Sequence, residues 1–151
     1  MVSTRRGLVA AGAGVLVAGC GAPEPIAPDA ELLAGVLAWE RALVKAYGRI
    51  PGRAGHELAA RARDHAAWLV RSGSRSAAEP ARAAGDPLEA ALALQRRSMR
   101  ACVTAVGLVR EPASRALVAE ILTAGAQHAA ILLGRLGRDP LETAFPDGRA
   151  A

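Results

Sequence analysis

Aromatic side chains are scarce in this 151-residue chain: they make up 3% of it, as Trp39, Trp68, Tyr47 and Phe145. That scarcity excludes an aromatic stacking platform for single-stranded nucleic acid. Lysine is nearly absent too, Lys45 being the sole example among 19 basic residues. The arginines are scattered among 14 acids, with no run longer than two. The blocks of like charge that mark a polyanion partner are therefore missing, and no nucleic-acid partner is expected. Cysteine occurs only at Cys20 and Cys102, never as Cys-x-x-Cys. No His-Glu-x-x-His, Gly-x-Ser-x-Gly, P-loop or Rossmann fingerprint occurs either, so the common short motifs of catalysis and nucleotide binding are lacking.

What the chain does have is apolar bulk suited to helices. Hydrophobic residues make up 52%, alanine alone about a quarter, and β-branched residues are few. The length suits one domain. This balance predicts an all-α fold and excludes a sandwich, barrel or propeller.

The first residues read as an export signal. Arg5 and Arg6 precede an uncharged stretch, Gly7 to Gly19, shorter than the ~20 residues a spanning helix needs. It ends in Val17-Ala18-Gly19-Cys20, a lipobox pattern that places a lipid on Cys20. Thr4-Arg5-Arg6-Gly7-Leu8-Val9 also resembles a twin-arginine signal, so both Tat- and Sec-type export stay open. The expected organisation is a signal peptide over 1–19, a lipidated Cys20 with a Pro-rich tether over 20–28, and a helical domain over 29–148. The membrane is then the partner reached through the lipid, and the location is the outer face of the cell membrane. Removing residues 1–19 takes away Arg5 and Arg6, leaving 17 basic against 14 acidic residues. With Cys20 lipidated, Cys102 has no intramolecular partner and reads as a small buried hydrophobe.

Four helices follow from periodicity. Asp29 caps one that runs to about Arg49, with Leu33, Val36, Leu37, Leu43, Val44 and Tyr47 on its apolar face. Gly48, Pro51, Gly52 and Gly55 mark a turn. A second helix spans about Arg53 to Arg71 and carries Leu58, Ala62, His65 and Leu69. Residues 72–85 have no apolar period and form a long connection. Asp86-Pro87-Leu88-Glu89 starts a third helix with Leu88, Leu92, Met99, Cys102, Val103 and Val106 on one face. Glu111-Pro112 ends it and opens a fourth, whose face carries Leu117, Val118, Ile121, Leu122, His128, Ile131, Leu132 and Leu136. At about 3.3 Å per residue, the connection can travel the length of a bundle. One long crossover between helices 2 and 3 predicts the ferritin-like order of a four-helix bundle; an up-down bundle is the alternative.

Polar residues on the apolar faces are the informative ones. Glu40 shares a face with Tyr47, seven residues on. His65, Gln95 and His128 occupy core positions of the other three helices. A buried carboxylate without a partner costs several kcal/mol, so Glu40 requires a cation, an imidazole or the Tyr47 hydroxyl. Glu40, His65 and His128 together have the stoichiometry of a mononuclear Zn or Fe site. The competing reading is a hydrogen-bonded core in which Glu40, His65, Tyr47 and Gln95 satisfy one another. His56 and Glu57, at a helix start, are expected in solvent.

Trp39-Glu40 through Ala46-Tyr47-Gly48, Asp64-His65, Gln127-His128-Ala129-Ala130 and the ending PLETAFPDG resemble the exported ferritin-like domain lipoproteins of high-GC Gram-positive bacteria. The biochemical role of that family is unassigned. The resemblance covers about Leu32 to Gly148 and implies a ferritin-like bundle. The wider superfamily carries a Glu on its first helix, a Tyr seven residues on, and Glu-x-x-His pairs. Glu40 and Tyr47 match; Ala62 and Gly125 stand where the acids of those pairs would be. A di-iron centre needs about four carboxylates, and this core offers Glu40, with Glu120 on the flank. Three functions follow in order: a non-enzymatic binding or scaffolding module, a mononuclear metal protein using Glu40, His65 and His128, and an enzyme with Glu40 as general base.

Overall fold

A computed structural model describes residues 29–75, 77–81 and 84–141. The signal peptide, Cys20, the tether and the ending after Leu141 lie outside the described residues. Those described form four helices and no strand: α1 (Asp29–Tyr47), α2 (Arg53–Arg71), α3 (Pro87–Leu108) and α4 (Pro112–Arg135). The all-α expectation holds.

Hydrogen bonds between distant residues set the topology. The Asp29 carboxylate accepts from the backbone N–H groups of Arg110 (3.0 Å) and Glu111 (2.9 Å), so α1 begins beside the α3–α4 turn. These two N–H groups also hold the Asp29 carboxyl below its usual range. At the other end, Lys45 pairs with Glu79 at 2.6 Å, and Arg135 donates to the Pro51 carbonyl at 3.4 Å. Hence α1 and α4 run one way and α2 and α3 the other. The end of α2 and the start of α3 therefore lie at opposite ends of the bundle, the span that a connection without apolar period is long enough to cover. Helix α1 packs against both α2 and α3, and α3 against α4, while α2 and α4 barely touch.

Helix ends follow local chemistry. Asp86 accepts from the N–H groups of Leu88 (2.9 Å) and Glu89 (3.1 Å), with Pro87 at the first helical position. Glu89 does not reach back to complete a capping box; it pairs with Arg138 beyond the end of α4. Glu111 caps α4 by accepting from Ala113 (3.0 Å) and Ser114. Helix α1 stops at Tyr47, two residues before the expected Arg49. Gly48, Arg49 and Ile50 form tight turns instead, because Pro51 bars the helix and Ile50 is buried in the core.

Two apolar clusters make the core. One gathers Leu43, Tyr47, Ile50, Leu58, Leu92, Met99, Leu132 and Leu133 near the α1–α2 turn. The other gathers Leu33, Val36, Leu37, Leu69, Cys102, Val109, Val118 and Ile121 near the α3–α4 turn. Glu40 on α1 and His65 on α2 fall between the two. Two residues assigned to apolar faces are corrected. Val103 is 42% exposed, because it lies about 100° round α3 from the buried Cys102. Ile131 is 46% exposed, because it borders the seam that α2 and α4 leave open. By length and composition alone α4 could cross a membrane, yet Val118, Ile121, Leu132 and Leu133 are buried in the bundle.

Gly55 is not a turn residue. It is buried in the first turn of α2, where a Cβ would stand 2.2 Å from the Ile50 carbonyl oxygen and 2.9 Å from that of Tyr47. Gly35, in α1, has nothing within 4 Å of such a Cβ. Urea denaturation should therefore show Gly55→Ala destabilised by roughly 2–3 kcal/mol or more, since backbone cannot yield as a side chain does. Gly35→Ala should gain about 0.5–1 kcal/mol.

Candidate functional site

Each helix contributes polar side chains to the interior, and the four nominated core positions are almost fully buried: Glu40 (3% exposed), His65 (6%), Gln95 (2%) and His128 (3%). Tyr47 is wholly enclosed. His56 and Glu57 lie in solvent, as expected.

The pairings divide the set in two. Glu40 Oε2 lies 3.0 Å from His65 Nδ1. The Tyr47 hydroxyl donates to Gln95 Oε1 and stands 3.5 Å from His128 Nδ1, its ring edge-on to the imidazole. The rings of His65 and His128 are near parallel, centroids 6.3 Å apart, and link the two halves. Trp68 flanks His65 at 5.6 Å. A glycine is needed at position 125: a Cβ there would come within 2.7 Å of Gln95 Nε2 and 3.1 Å of Met99 Cγ. The place of an acid three residues before His128 is thus taken by the Gln95 amide.

Tyr47 has one hydroxyl proton, and Gln95 accepts it. The contact with His128 then makes Nδ1 the proton carrier and leaves a lone pair on Nε2, a tautomer assigned from these bond directions. His128 Nε2 has no hydrogen-bond partner within the protein.

Burial governs the electrostatics. It raises the proton affinity of Glu40, opposed by the His65 hydrogen bond. Burial, then the Glu40 charge, pushes the Tyr47 hydroxyl well above its ordinary range. The same two causes, opposed by the nearby Ser98 hydroxyl, push the Cys102 thiol up to about 12, so it is no nucleophile at neutral pH. Burial, with His65 and Arg61 adding positive charge nearby, pulls His128 down to about 4. It is neutral under physiological conditions.

Glu40, His65 and His128 are brought into one layer, but Glu40 and His65 bond to each other and His128 turns to Tyr47. Among the described residues, no group of three or more His, Cys, Asp or Glu side chains is placed to hold a metal ion. Glu120 is exposed, on the rim of a cavity of about 450 Å3 that also reaches His65, Asp64 and Trp68. As they stand, these residues serve one another as hydrogen-bond partners.

Sequence reasoning passed over Arg61, Trp68 and Ser98. Arg61 is four residues before His65 and so on its side of α2, a signal available from spacing alone. Ser98 is buried on α3 between Gln95 and Cys102; the spacing that identified Gln95 could have found it as well.

No protein-family model, curated protein or solved structure matches the chain.

Two measurements check this site. Glu40→Leu alone leaves a buried His65 N–H unpaired and should cost about 1–3 kcal/mol. The double change Glu40→Leu with His65→Leu should recover most of that loss, a non-additivity that denaturation of the four proteins reads directly. The second concerns pH. An imidazole held at about 4 when folded, against an unfolded value of 6.5, binds its proton more readily once unfolded. Its contribution to stability is complete above pH 6.5 and falls away as pH drops toward 4, by up to about 3 kcal/mol. Glu40, with its raised proton affinity, acts in the opposite sense. The stability difference between wild type and His128→Phe across pH 4–7 isolates the histidine.

Proposed function

We propose that this chain is an exported lipoprotein, held at the outer face of the cell membrane through Cys20, whose ferritin-like bundle serves as a non-enzymatic binding or scaffolding module. The bundle order supports the ferritin-like assignment: two antiparallel pairs joined by one connection that runs the length of the molecule. The export reading rests on the charged start, the short apolar stretch and the lipobox.

The observation that carries the non-enzymatic reading is the internal pairing of the polar core. Glu40 is engaged by His65, and Tyr47 by Gln95 and His128. A general base must have a free face toward a substrate; Glu40 turns its carboxylate to a neighbouring helix. Buried groups of this kind fix how helices register, a role well attested for polar residues in helical bundles. A tether that enters at Asp29 leaves the opposite end of the bundle, with the α1–α2 turn, pointing away from the lipid.

A mononuclear Zn or Fe ion on Glu40, His65 and His128 is the second reading. It is favoured by the convergence of those three side chains in one layer and opposed by their bonds to one another.

Membrane fractionation and fatty-acid labelling test the first reading in a host with lipoprotein-processing enzymes. The wild-type chain should take up label and sediment with membranes, and Cys20→Ala should do neither. Elemental analysis of the same preparation, grown with zinc and iron, should show no stoichiometric metal. A full equivalent lost in His65→Ala would establish the second reading.

A further inference from the structure

A cavity of about 360 Å3 lies between α1, α3 and the connection that crosses from α2 to α3. Ala42 and Ala46 of α1 and Ala90 and Leu94 of α3 line it, and Ala42, Ala90 and Leu94 are buried. Pro80 and Ala81 of the connection form a further wall, held to α1 by the Lys45–Glu79 pair at 2.6 Å. The charged side chains on the lining are Lys45, Arg49 and Glu79. Glu79 neutralises Lys45. Arg49, an exposed residue, has no ion pair or side-chain hydrogen bond among the described residues, so one positive charge at the cavity stays uncompensated. Arg49 follows the end of α1 and Pro87 opens α3, so the charge lies at one end of the cavity. Ala42 and Leu94, each seven residues further along its helix, lie at the other end, roughly 10 Å away at 1.5 Å per residue.

We propose that this cavity binds a small carboxylate with an unbranched apolar body, of the size of a medium-chain fatty acid such as octanoate. Its chain lies along Ala46, Ala90 and Leu94, and its carboxylate meets Arg49. The walls decide the class. Apart from the three charged residues, no side chain on the lining can donate or accept a hydrogen bond. A sugar, nucleotide or free amino acid would lose its bonds to water there without replacement. An apolar body instead gains by leaving water. The unpaired guanidinium decides the head group: its planar fork suits a carboxylate and repels an amine. Size decides the length. Small-molecule sites run from about 300 to 1,000 Å3, so 360 Å3 is near the lower bound and excludes a long-chain lipid. Position agrees: Gly48 and Arg49 place the cavity at the α1–α2 turn, the end remote from Asp29 and its tether, where a ligand arrives from water. This inference rests on the binding-module reading and supplies a ligand class for it.

Calorimetric titration of the full-length, lipid-processed protein in lipid nanodiscs tests it, with octanoate as probe and empty nanodiscs as blank. Octanoate should bind at one saturable site. Octanamide, similar in shape but uncharged, and butyrate, which leaves most of the cavity empty, should each bind at least about tenfold more weakly. Because Arg49 is exposed, Arg49→Gln should keep the wild-type melting temperature, weaken octanoate about tenfold and leave octanamide unchanged. Ala46→Leu, which fills the cavity, should abolish octanoate binding; its melting curve shows whether it folds, and Arg49→Gln decides the matter if it does not. No saturable binding of octanoate by a cooperatively melting wild-type protein would overturn the inference. So would equal affinity for octanamide, or an unchanged affinity for octanoate in Arg49→Gln. Those outcomes strike this cavity alone, whereas a stoichiometric metal in the same preparation would strike the binding-module reading.

Discussion

A carboxylate shut inside an alanine-rich bundle has to find a partner, and much of the layout here follows from how Glu40 does so. Its carboxylate meets His65 Nδ1 at 3.0 Å across the α1–α2 interface. That bond joins two almost fully buried side chains and adds a directional constraint on the relative height of the two helices that apolar packing lacks. The pair lies between two apolar clusters, so a shift of one turn would drive the acid among leucines. The cost of such a misplacement, several kcal/mol, is comparable to the whole stability of a small domain.

The same layer borders the open seam between α2 and α4. His65 and His128 face each other there with ring centroids 6.3 Å apart. Lysine-free, arginine-bearing rims then border the gap: Arg61 on one side, Gln127 and Glu120 on the other. A seam between two helices that are neighbours in space but not in sequence is also the part of the bundle with fewest local contacts. It is therefore the region expected to open first.

Much of this was legible in the sequence, for reasons that can be named. The helix starts at Asp86-Pro87 and Glu111-Pro112 are set by chemistry within three residues, and both appear where that chemistry places them. The crossover was legible from the lack of apolar period over residues 72–85. Burial of Glu40, His65, Gln95 and His128 followed from spacing, because a 3.6-residue period leaves few alternatives for a polar residue flanked by leucines. What spacing could not supply was direction. Whether Glu40 turns to an ion or to His65, and whether His128 turns to Glu40 or to Tyr47, depends on side-chain torsions and on how four helices are rotated about their axes. Gly55 and Gly125 were obscure for a related reason: their need for hydrogen in place of a methyl group arises from contacts with Ile50 and Gln95, which are visible only once the chain is folded. Ile131 was misplaced because periodicity assumes a closed bundle.

Nitrogen-15 and proton NMR of the imidazole rings addresses the Glu40–His65 pair most directly. The account predicts a proton on His65 Nδ1 that is coupled to Glu40, shielded from exchange with water, and lost from view in Glu40→Leu, while His128 stays neutral until about pH 4. If the His65 Nδ1 proton exchanges as fast as that of the solvent-exposed His56, or is unaltered in Glu40→Leu, the pair does not exist and the layer built on it falls with it.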